Sequence, residues 1–358
     1  MRFSPVAQIR LGALQHNLAR LRQAAPNSKV FAVLKANAYG HGLIPIAEAL
    51  SGVDGFGLAR IEEALALRSH GIDARVLLLE GVFSDTDFEQ AAAHHLDVVV
   101  HDASQVELLC QLKLSKPLKV WLKVDSGMHR LGVQPHEFAA LYQQLSQCDN
   151  VCQPINFITH FAVADELENP QTVKQIQCFN QLTEGLPGER TLCNSAGALG
   201  WPAAHGDWIR PGLALFGGNP MVGGRAPQYG LEPVMTMRSK VLAVRHLSAA
   251  EPVGYGQSWR SNNATKIAVI AMGYGDGYPR HAVSGTPVLI NGQRFPLAGR
   301  VSMDMLTVDV GDADIQVGDD VVLWGEGLGI EEIAECASTI PYELLCSTTA
   351  RVTYQYLD

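Results

Sequence analysis

The sequence predicts an α/β fold in which a TIM-type (β/α)8 barrel precedes a mostly antiparallel β-domain. Up to about residue 230, short apolar runs alternate with helical patterns, which indicates parallel strands covered by helices on both faces. Beyond residue 230 the hydrophobic period moves towards two and helical patterns become rare. Eight strand–helix units within about 220 residues fit a closed barrel, although a doubly wound sheet would give a similar pattern.

Each predicted barrel strand is a short apolar run, and most are followed by a helical pattern. The helix after the third strand has Ser84 and Asp85 as caps, and a later helix begins near Pro170, which suits a first helical turn. The predicted strands are residues 30–34, 55–59, 76–79, 98–100, 119–124, 155–159, 191–193 and 208–209. The predicted helices are residues 44–50, 61–68, 103–112 and 135–145, besides those near 84–85 and 170.

The second predicted domain is a β-domain with one helix, at residues 330–337. The dipeptide Asn291-Gly292 lies between two of its strands and is a strong signal for a two-residue hairpin. The predicted domains are therefore residues 1–230 and residues 231–358. The predicted strands of the β-domain are residues 240–245, 267–271, 288–290, 295–298, 305–310 and 321–324.

Composition narrows the class of protein. The chain has 358 residues, with 27 Lys and Arg against 36 Asp and Glu, for a net charge of −9. This acidic balance argues against nucleic acid or an anionic membrane as a partner. No apolar stretch reaches the ~18 residues of a membrane span, and Gln8 and Arg10 interrupt the first one, so we expect no signal peptide either. The seven cysteines form no CxxC pair, which favours reduced thiols in a cytoplasmic protein over disulfides or a metal site.

Polar side chains follow almost every predicted barrel strand. In a closed barrel the carboxyl ends of the strands form one rim, and active sites are built there. Loops carry many polar residues in any fold, so the pattern alone is only suggestive. The rim residues are Lys35, Arg60, Glu80, His101, Lys123, Asp125, His160, Asn194, Ser195 and Arg210.

The most informative segment is residues 31–42, FAVLKANAYGHG. Lys35 ends an apolar strand, so its amine loses part of its hydration, which favours imine chemistry. The small residues and two glycines that follow allow a planar ligand to approach the backbone. Taken alone, Lys35 also fits a lysine that extends from a strand end into solvent.

This segment resembles the pyridoxal-phosphate attachment motif of bacterial alanine racemases, and the resemblance extends along essentially the whole chain. It implies a pyridoxal-phosphate-binding barrel plus a β-domain in a homodimer, in which the first few residues can pack with the β-domain. The sequence departs from the family at Ser302, where cysteine is frequent. The other matching blocks are residues 123–132, 158–161, 194–195, 210–213, 253–256, 273–277 and 299–304.

The resemblance also implies a set of catalytic residues. Lys35 would hold the cofactor as a Schiff base and act as the base on the D-alanine side. Tyr255 would be the base that faces L-alanine, with His160 hydrogen-bonded to its phenol. Arg210 would face the pyridine nitrogen and donate a hydrogen bond without giving up its proton, which limits side reactions such as transamination. Without the resemblance, Arg210 equally fits a salt bridge at the rim.

Binding residues are implied in the same way. The cofactor phosphate would meet Ser195 with Asn194 beside it, the backbone of Gly212 and Leu213, and the hydroxyls of Tyr39 and Tyr342. Tyr342, which follows Pro341, also fits an ordinary half-buried tyrosine.

The substrate site and its entrance complete the implied set. The alanine carboxylate would bind Arg130 and the backbone of Met303. Lys123 corresponds to a lysine that is carbamylated in many relatives; otherwise it pairs with Asp125 or another acid. Tyr274 and Arg280 would line a narrow entrance.

The resemblance implies an enzyme that interconverts L-alanine and D-alanine, either to supply D-alanine for peptidoglycan or in alanine catabolism. In each site the β-domain of one subunit would complete the barrel mouth of the other. Two alternatives are a pyridoxal-phosphate-binding homeostasis protein and a related amino-acid decarboxylase. The first kind of protein lacks a β-domain, and the second requires no base in the position of Tyr255.

Overall fold

The computed structural model describes residues 3–358 and divides them into two compact units. The barrel unit consists of residues 17–215 and 220–224, and the β unit of residues 3–16, 216–219 and 225–358. Residues 1 and 2 lie outside the described residues. They belong to the predicted first domain and to the amino-terminal segment that is expected to contain no signal peptide. The described chain begins in the β unit, with strand β1 (Val6–Arg10) and helix α1 (Leu11–Ala24), which contains the boundary between the units.

The barrel unit is a closed ring of eight parallel strands. The ring closes where the last strand pairs with the first, with Lys29 beside Trp208 and Val30 beside Ile209. This closure confirms the barrel and excludes the doubly wound sheet. The strands are β2 (Lys29–Val33), β3 (Gly55–Leu58), β4 (Val76–Leu78), β5 (Leu96–Val100), β6 (Leu118–Lys123), β7 (Val151–Ile158), β8 (Arg190–Thr191) and β9 (Trp208–Ile209).

Helices follow the strands around the ring. The predicted cap Ser84 accepts a hydrogen bond from the backbone N–H of Asp87, and Pro170 directly precedes the helix predicted to begin near it. The helical segments are α2 (Lys35–Tyr39), α3 (Leu43–Ala49), α4 (Ile61–Ser69), α5 (Asp85–Ala93), α6 (Ala103–Gln111), α7 (Phe138–Ser146), α8 (Gln171–Thr183) and α9 (Ser195–Gly200).

Aromatic side chains fill the barrel interior at its amino-terminal end. The rings of Phe31 and Trp208 stack with centroids 3.9 Å apart, and the guanidinium of Arg75 lies 4.9 Å from the Trp208 ring. Arg75 also forms ion pairs with Asp97 at 2.7 Å and Glu189 at 2.9 Å, so its charge is balanced where it leaves water. The interior is therefore a packed core, and the functional groups lie at the opposite, carboxyl-terminal rim.

The β unit is built on an eight-stranded sheet. Its main path runs β15-β14-β17-β10-β1-β18, and β13 joins β10 to β16. All pairs are antiparallel except β1 with β18, which are parallel. The elements after the barrel are β10 (Met235–Leu247), β11 (Pro252–Val253), β12 (Trp259–Arg260), β13 (Thr265–Ile270), β14 (Pro287–Ile290), β15 (Gln293–Pro296), β16 (Leu306–Gly311), β17 (Asp320–Trp324), α10 (Ile330–Cys336), α11 (Pro341–Cys346) and β18 (Thr353–Leu357).

The hairpin between β14 and β15 confirms a local prediction. Asn291 and Gly292 have φ values of 50° and 79°, and Ile290 pairs directly with Gln293. Two positive φ values are the requirement of a type I′ turn, which Asn-Gly meets with little strain.

The described residues contain neither a membrane-spanning helix nor a cluster of metal-binding side chains. None of the helices in residues 3–358 is long and apolar enough to cross a membrane. Nor do these residues contain a group of three or more His, Cys, Asp or Glu side chains that could hold a metal ion.

We predict that Trp208→Ala lowers the free energy of unfolding by about 3–5 kcal/mol, because it leaves a cavity beside Phe31 and removes the ring under Arg75. Urea unfolding followed by circular dichroism measures this change. The control is Val173→Ala on α8, where a side chain that is 42% exposed is shortened and the change stays within about 0.5 kcal/mol. Equal effects of the two substitutions would contradict the role of this core layer.

Candidate active site at the barrel mouth

Four cationic side chains act on one another at the rim of the barrel. Arg210, Lys123, Arg130 and Lys35 each lower the pKa of His160 through their charge. They belong to different strand ends or to the loops that follow, and barrel closure brings them to one place. The structure thus brings these four predicted cations together, whereas Arg60, also predicted at the rim, is exposed and pairs with Glu80 at 3.6 Å.

Lys35 is followed by an unusual backbone segment. Residues 36–39 all have φ values between 51° and 55°, so α2 is a left-handed turn built without glycine. Each such residue costs roughly 1–2 kcal/mol relative to right-handed geometry. Hydrogen bonds from Ala38 N–H to the Leu34 carbonyl (2.7 Å) and from Leu43 N–H to Asn37 Oδ1 (2.8 Å) hold the turn. Strain retained next to a reactive amine is characteristic of functional sites.

The left-handed turn carries Tyr39 to a cradle of hydrogen-bonding groups. A Cβ atom at Gly212 would lie 2.2 Å from the Tyr39 hydroxyl, so only glycine allows this approach. The hydroxyl of Ser195 accepts hydrogen bonds from the backbone N–H of Gly212 (2.9 Å) and of Ala214 (3.2 Å). Because both main-chain N–H groups donate to the Ser195 oxygen, the Ser195 O–H can donate in turn. The Ser195 and Tyr39 hydroxyls thus lie against the same turn at Gly212 and can donate hydrogen bonds to a phosphate.

Two other predicted cofactor residues adjoin this cradle. Asn194 caps α9, where its side-chain oxygen accepts a hydrogen bond of 2.9 Å from the N–H of Gly197. Leu213 is buried and stands between the two residues whose N–H groups meet Ser195. Asn194 therefore fixes the chain beside Ser195.

Arg210 is held rigidly although it is almost fully buried. Its Nη1 donates to the Thr191 hydroxyl at 2.7 Å, and its Nη2 donates to the carbonyls of Thr159 (2.6 Å) and Leu192 (3.2 Å). Its Nε makes no hydrogen bond with any residue that the structure describes. Burial lowers the pKa of Arg210 to about 10, so the side chain stays protonated at neutral pH.

His160 is neutral in this environment. Its pKa lies well below the ordinary value because of burial and because of nearby Arg210, Lys123 and Arg130. Its Nδ1 lies 3.5 Å from Nη2 of Arg210. Because a guanidinium only donates, Nδ1 faces it as an acceptor, and the proton of the neutral ring is then on Nε2.

Lys123 is a buried amine. Burial, with the charges of Arg210 and Arg130, lowers its pKa to about 8, and Glu80 acts in the opposite direction. Within residues 3–358 no ion pair joins Lys123 to Asp125. A lysine with this pKa has a substantial neutral fraction at mildly alkaline pH and is nucleophilic.

Asp125 holds the turn that leads to Arg130. Its Oδ1 accepts from the N–H groups of Gly127 (3.0 Å), Met128 (3.1 Å) and His129 (3.0 Å). Burial raises the pKa of the Asp125 carboxyl, but these hydrogen bonds outweigh it and the net pKa is lowered. The side chain of Arg130 is exposed after this turn.

The remaining predicted site residues belong to the β unit. Tyr255 is 67% exposed and lies between Gly254 and Gly256, both at φ 71°. Met303 is 52% exposed. Tyr274 and Arg280 are exposed and line the same cavity of about 210 Å³, and Tyr342 is half-buried in α11.

Sequence reasoning missed the left-handed turn and the two threonines that hold Arg210. The sequence contained a signal for the threonines, because Thr159 and Thr191 lie at the ends of two neighbouring predicted strands, residues 155–159 and 191–193. His101, which was predicted only as a rim residue, has a buried Nε2 with no hydrogen-bond partner among the described residues. Its pKa is lowered by burial and by Lys123.

The rim of the closed barrel combines four cations with a cradle of hydroxyl and main-chain amide groups, and a β unit accompanies the barrel. These features define a barrel enzyme that acts on anionic ligands. Two family matches make this specific: "Alanine racemase, N-terminal domain" matches residues 9–220, and "Alanine racemase, C-terminal domain" matches residues 234–356. The chain belongs to the alanine racemase family and is an isomerase.

Individual relatives agree over the full length of the chain. A protein named alanine racemase from Shewanella sp. (strain MR-7) is 58% identical over 349 residues, which cover 97% of this chain and 98% of that protein. The crystal structure of biosynthetic alanine racemase from Pseudomonas aeruginosa has a TM-score of 0.97 and 44% identity, with both chains fully covered. The alanine racemase structure from Acinetobacter baumannii has a TM-score of 0.94 and 37% identity, over 99% of this chain and 100% of that one. These matches include the β unit and favour neither the homeostasis protein nor the decarboxylase.

We predict that Lys123→Met stabilises the protein at neutral pH and that this advantage disappears as the pH rises from 8 towards 10.5. The pKa of Lys123 is lowered from 10.5 to about 8 in the folded state, so below pH 8 a charged amine is buried at a cost. Above pH 8 the folded state has released the proton while the unfolded state keeps it, so the wild type gains stability with pH.

The measurement is urea unfolding of both proteins in CO2-free buffers across this pH window. Lys119→Met removes an exposed lysine from the same strand and reports the effect of losing a surface charge. A constant difference between wild type and Lys123→Met at every pH would refute the prediction.

Proposed function

We propose that this chain interconverts L-alanine and D-alanine with pyridoxal 5′-phosphate bound at the barrel mouth. The observation that supports it most is the cluster of Lys35, Lys123, Arg130 and Arg210. The charge of Glu80 offsets only part of the effect, because the pKa of Lys123 stays lowered to about 8. Such a site favours two anionic groups, a cofactor phosphate and a substrate carboxylate.

The residues present fit this cofactor. Lys35 would bind it covalently, and Ser195, Gly212 and Leu213, with the Tyr39 and Tyr342 hydroxyls, would hold its phosphate. The close approach of Tyr39 to Gly212 supports this assignment, because a side chain there would fill the cradle. When bound, the cofactor withdraws electrons from the substrate Cα and stabilises the carbanion that proton removal creates.

Arg210 would meet the pyridine nitrogen through Nε. This assignment is supported by the lack of a hydrogen-bond partner for Nε among the described residues, whereas Nη1 donates to Thr191 and Nη2 to Thr159 and Leu192. A guanidinium with a pKa of about 10 donates a hydrogen bond but keeps its proton at neutral pH. Electron withdrawal by the ring is then limited, which favours return of the proton to Cα over side reactions.

Racemisation needs two proton-transfer groups on opposite faces of a planar carbanion. We assign Tyr255 to the face from which L-alanine loses its proton and Lys35 to the other face. A phenol ordinarily keeps its proton at neutral pH, so Tyr255 needs a neighbour that stabilises its oxyanion. The neutral His160 ring would donate Nε2–H to that oxygen, while Nη2 of Arg210 lies 3.5 Å from Nδ1 on the other edge of the ring.

Arg130 and the backbone N–H of Met303 would bind the alanine carboxylate. We further propose that Lys123 is carbamylated and that the new carboxylate orients Arg130. The burial of Lys123 and its pKa of about 8 support this, because carbamylation requires a neutral amine. Tyr274 and Arg280 would line the entrance for a small substrate.

The working form would be a homodimer in which Tyr255 and Met303 complete the partner's barrel mouth. Their exposure on the β unit supports this arrangement. Location in the cytoplasm, and the supply of D-alanine for peptidoglycan or its use in catabolism, stay predictions from the sequence.

We predict that Tyr255→Phe lowers solvent-deuterium entry at Cα from L-alanine by at least about 100-fold, because it removes the base on that face. Lys35→Ala should in turn abolish exchange from D-alanine. Mass spectrometry of each enantiomer in deuterium oxide measures both rates. Tyr142→Phe on α7 is the matched control. Exchange from L-alanine that continues at the wild-type rate in Tyr255→Phe would rule out the two-base assignment.

The shared site predicts complementation between two inactive variants. A dimer of a Lys35→Ala chain with a Tyr255→Phe chain has one site with neither base and one site with both. Random pairing in cells that make both chains should therefore restore activity at about a quarter of the sites. Differently tagged chains allow the mixed dimer to be purified and assayed. An inactive mixed dimer would show that Tyr255 does not serve the partner's barrel.

A further inference from the structure

Two loops of the β unit are joined by main-chain hydrogen bonds, the loop 273–277 and the loop 302–304. The N–H of Tyr274 donates to the carbonyl of Ser302 at 3.0 Å, and the N–H of Gly275 donates to the carbonyl of Met303 at 2.8 Å. Successive carbonyls of one loop are thus held by successive N–H groups of the other. The peptide group between Ser302 and Met303 is therefore held through its carbonyl oxygen, which accepts from the Tyr274 N–H.

That fixed plane sets the direction of the Met303 N–H. In a trans peptide the carbonyl and the N–H point in opposite directions. Because the Ser302 carbonyl points at Tyr274, the Met303 N–H points away from the loop 273–277. It makes no hydrogen bond with any residue between 3 and 358, and the side chain of Met303 is half exposed. The Met303 N–H is therefore an unpaired donor that points away from the loop 273–277.

The two loops are so close that glycine is required between them. A Cβ at Gly273 would lie 2.2 Å from the Met303 carbonyl oxygen, and one at Gly275 would lie 2.5 Å from Nη1 of Arg351. Arg351 therefore lies directly against the loop 273–277.

Arg351 binds an acid on each loop. Its Nε lies 3.1 Å from Oδ1 of Asp276, and its Nη2 lies 2.8 Å from Oδ1 of Asp304. Asp276 is buried and its other oxygen accepts from the Gly273 N–H at 2.9 Å. Next to Arg351, the hydroxyl of Thr349 donates to the carbonyl of Gly275 at 2.9 Å. One guanidinium thus connects the buried anchor of the first loop to the residue after Met303.

We propose that Arg351 is a positioning residue that aims the Met303 N–H at the substrate carboxylate. This inference rests on the proposed function, which assigns that N–H to the carboxylate of alanine. Arg351 holds Asp304 against Asp276, and the two loops then keep the peptide plane of Ser302 and Met303 in one orientation. Without the bridge, the segment after Met303 keeps main-chain hydrogen bonds, such as the one from the Ser302 N–H to the Met305 carbonyl at 2.9 Å, but loses its side-chain anchor at Asp304.

If the ion pairs of Arg351 had only a structural role, substitution of Arg351 would have a different effect on ligand binding. An exposed pair contributes little to stability and would change no ligand preference. A positioning role predicts a defect confined to ligands that carry a carboxylate. Ethylamine is alanine without its carboxylate, so the two ligands form a matched pair.

The experiment titrates the cofactor-loaded dimer with L-alanine and with ethylamine, following the absorption of the cofactor. Arg351→Ala should weaken alanine binding and raise KM by about tenfold, with kcat changed less, while ethylamine binding stays within about twofold of wild type. Arg351→Lys keeps the charge but spans the two acids poorly. Its KM for alanine should lie between the values for the wild type and for Arg351→Ala. Asp304→Asn is the second variant, since it breaks one half of the bridge at an exposed site.

Arg294→Ala is the matched control, because Arg294 is 52% exposed against 50% for Arg351 and pairs with Glu332 in the same unit. It should bind both ligands as the wild type does. Equal weakening of alanine and ethylamine by Arg351→Ala or Asp304→Asn, or no change in either, would overturn the positioning role while leaving the proposed function intact. A wild-type dimer that binds neither ligand and racemises no alanine would overturn both.

Discussion

The site depends on repulsion among cations that are withdrawn from water. Burial and neighbouring positive charge lower the pKa of Lys123 to about 8 and suppress protonation of His160, and burial lowers the pKa of Arg210 to about 10. A cluster of this kind is unfavourable until anions enter it, because the buried charges of Lys123 and Arg210 have lost hydration without gaining an ion-pair partner within residues 3–358. The same repulsion that costs stability therefore provides the affinity for a phosphate and a carboxylate.

The scaffold must hold these groups in place against that repulsion. Arg210 is fixed by hydroxyl and carbonyl oxygens from neighbouring strands, which accept its protons without neutralising it. Asp125 uses one of its oxygens to shape the turn before Arg130. The left-handed turn after Lys35 is a third device, because its strain is tolerated only where surrounding contacts define the backbone.

The sequence predicted those elements whose conformation depends mainly on residues that are close together in the chain. The apolar barrel strands and the Asn291-Gly292 hairpin follow from burial and from turn geometry, and the structure has them close to the predicted residues. Strand β1 was missed because its partners are distant in sequence, with Val6 paired to Arg238 and Thr353. The left-handed turn was missed because alanine-rich segments favour right-handed helix, so only tertiary contacts select its geometry. The site residues came from family resemblance, since the rim pattern alone does not distinguish ligands from ordinary polar loops.

The position of β1 has a consequence for biosynthesis. This strand leaves the ribosome before the barrel does, yet it lies between β10 and β18, which both follow the barrel in sequence. Its two neighbours therefore emerge only after the whole barrel has been made. The β unit is therefore completed only when β18 pairs with β1. A chain truncated before β18 would leave β1 as the edge strand in its place, with unpaired backbone groups that are a template for aggregation.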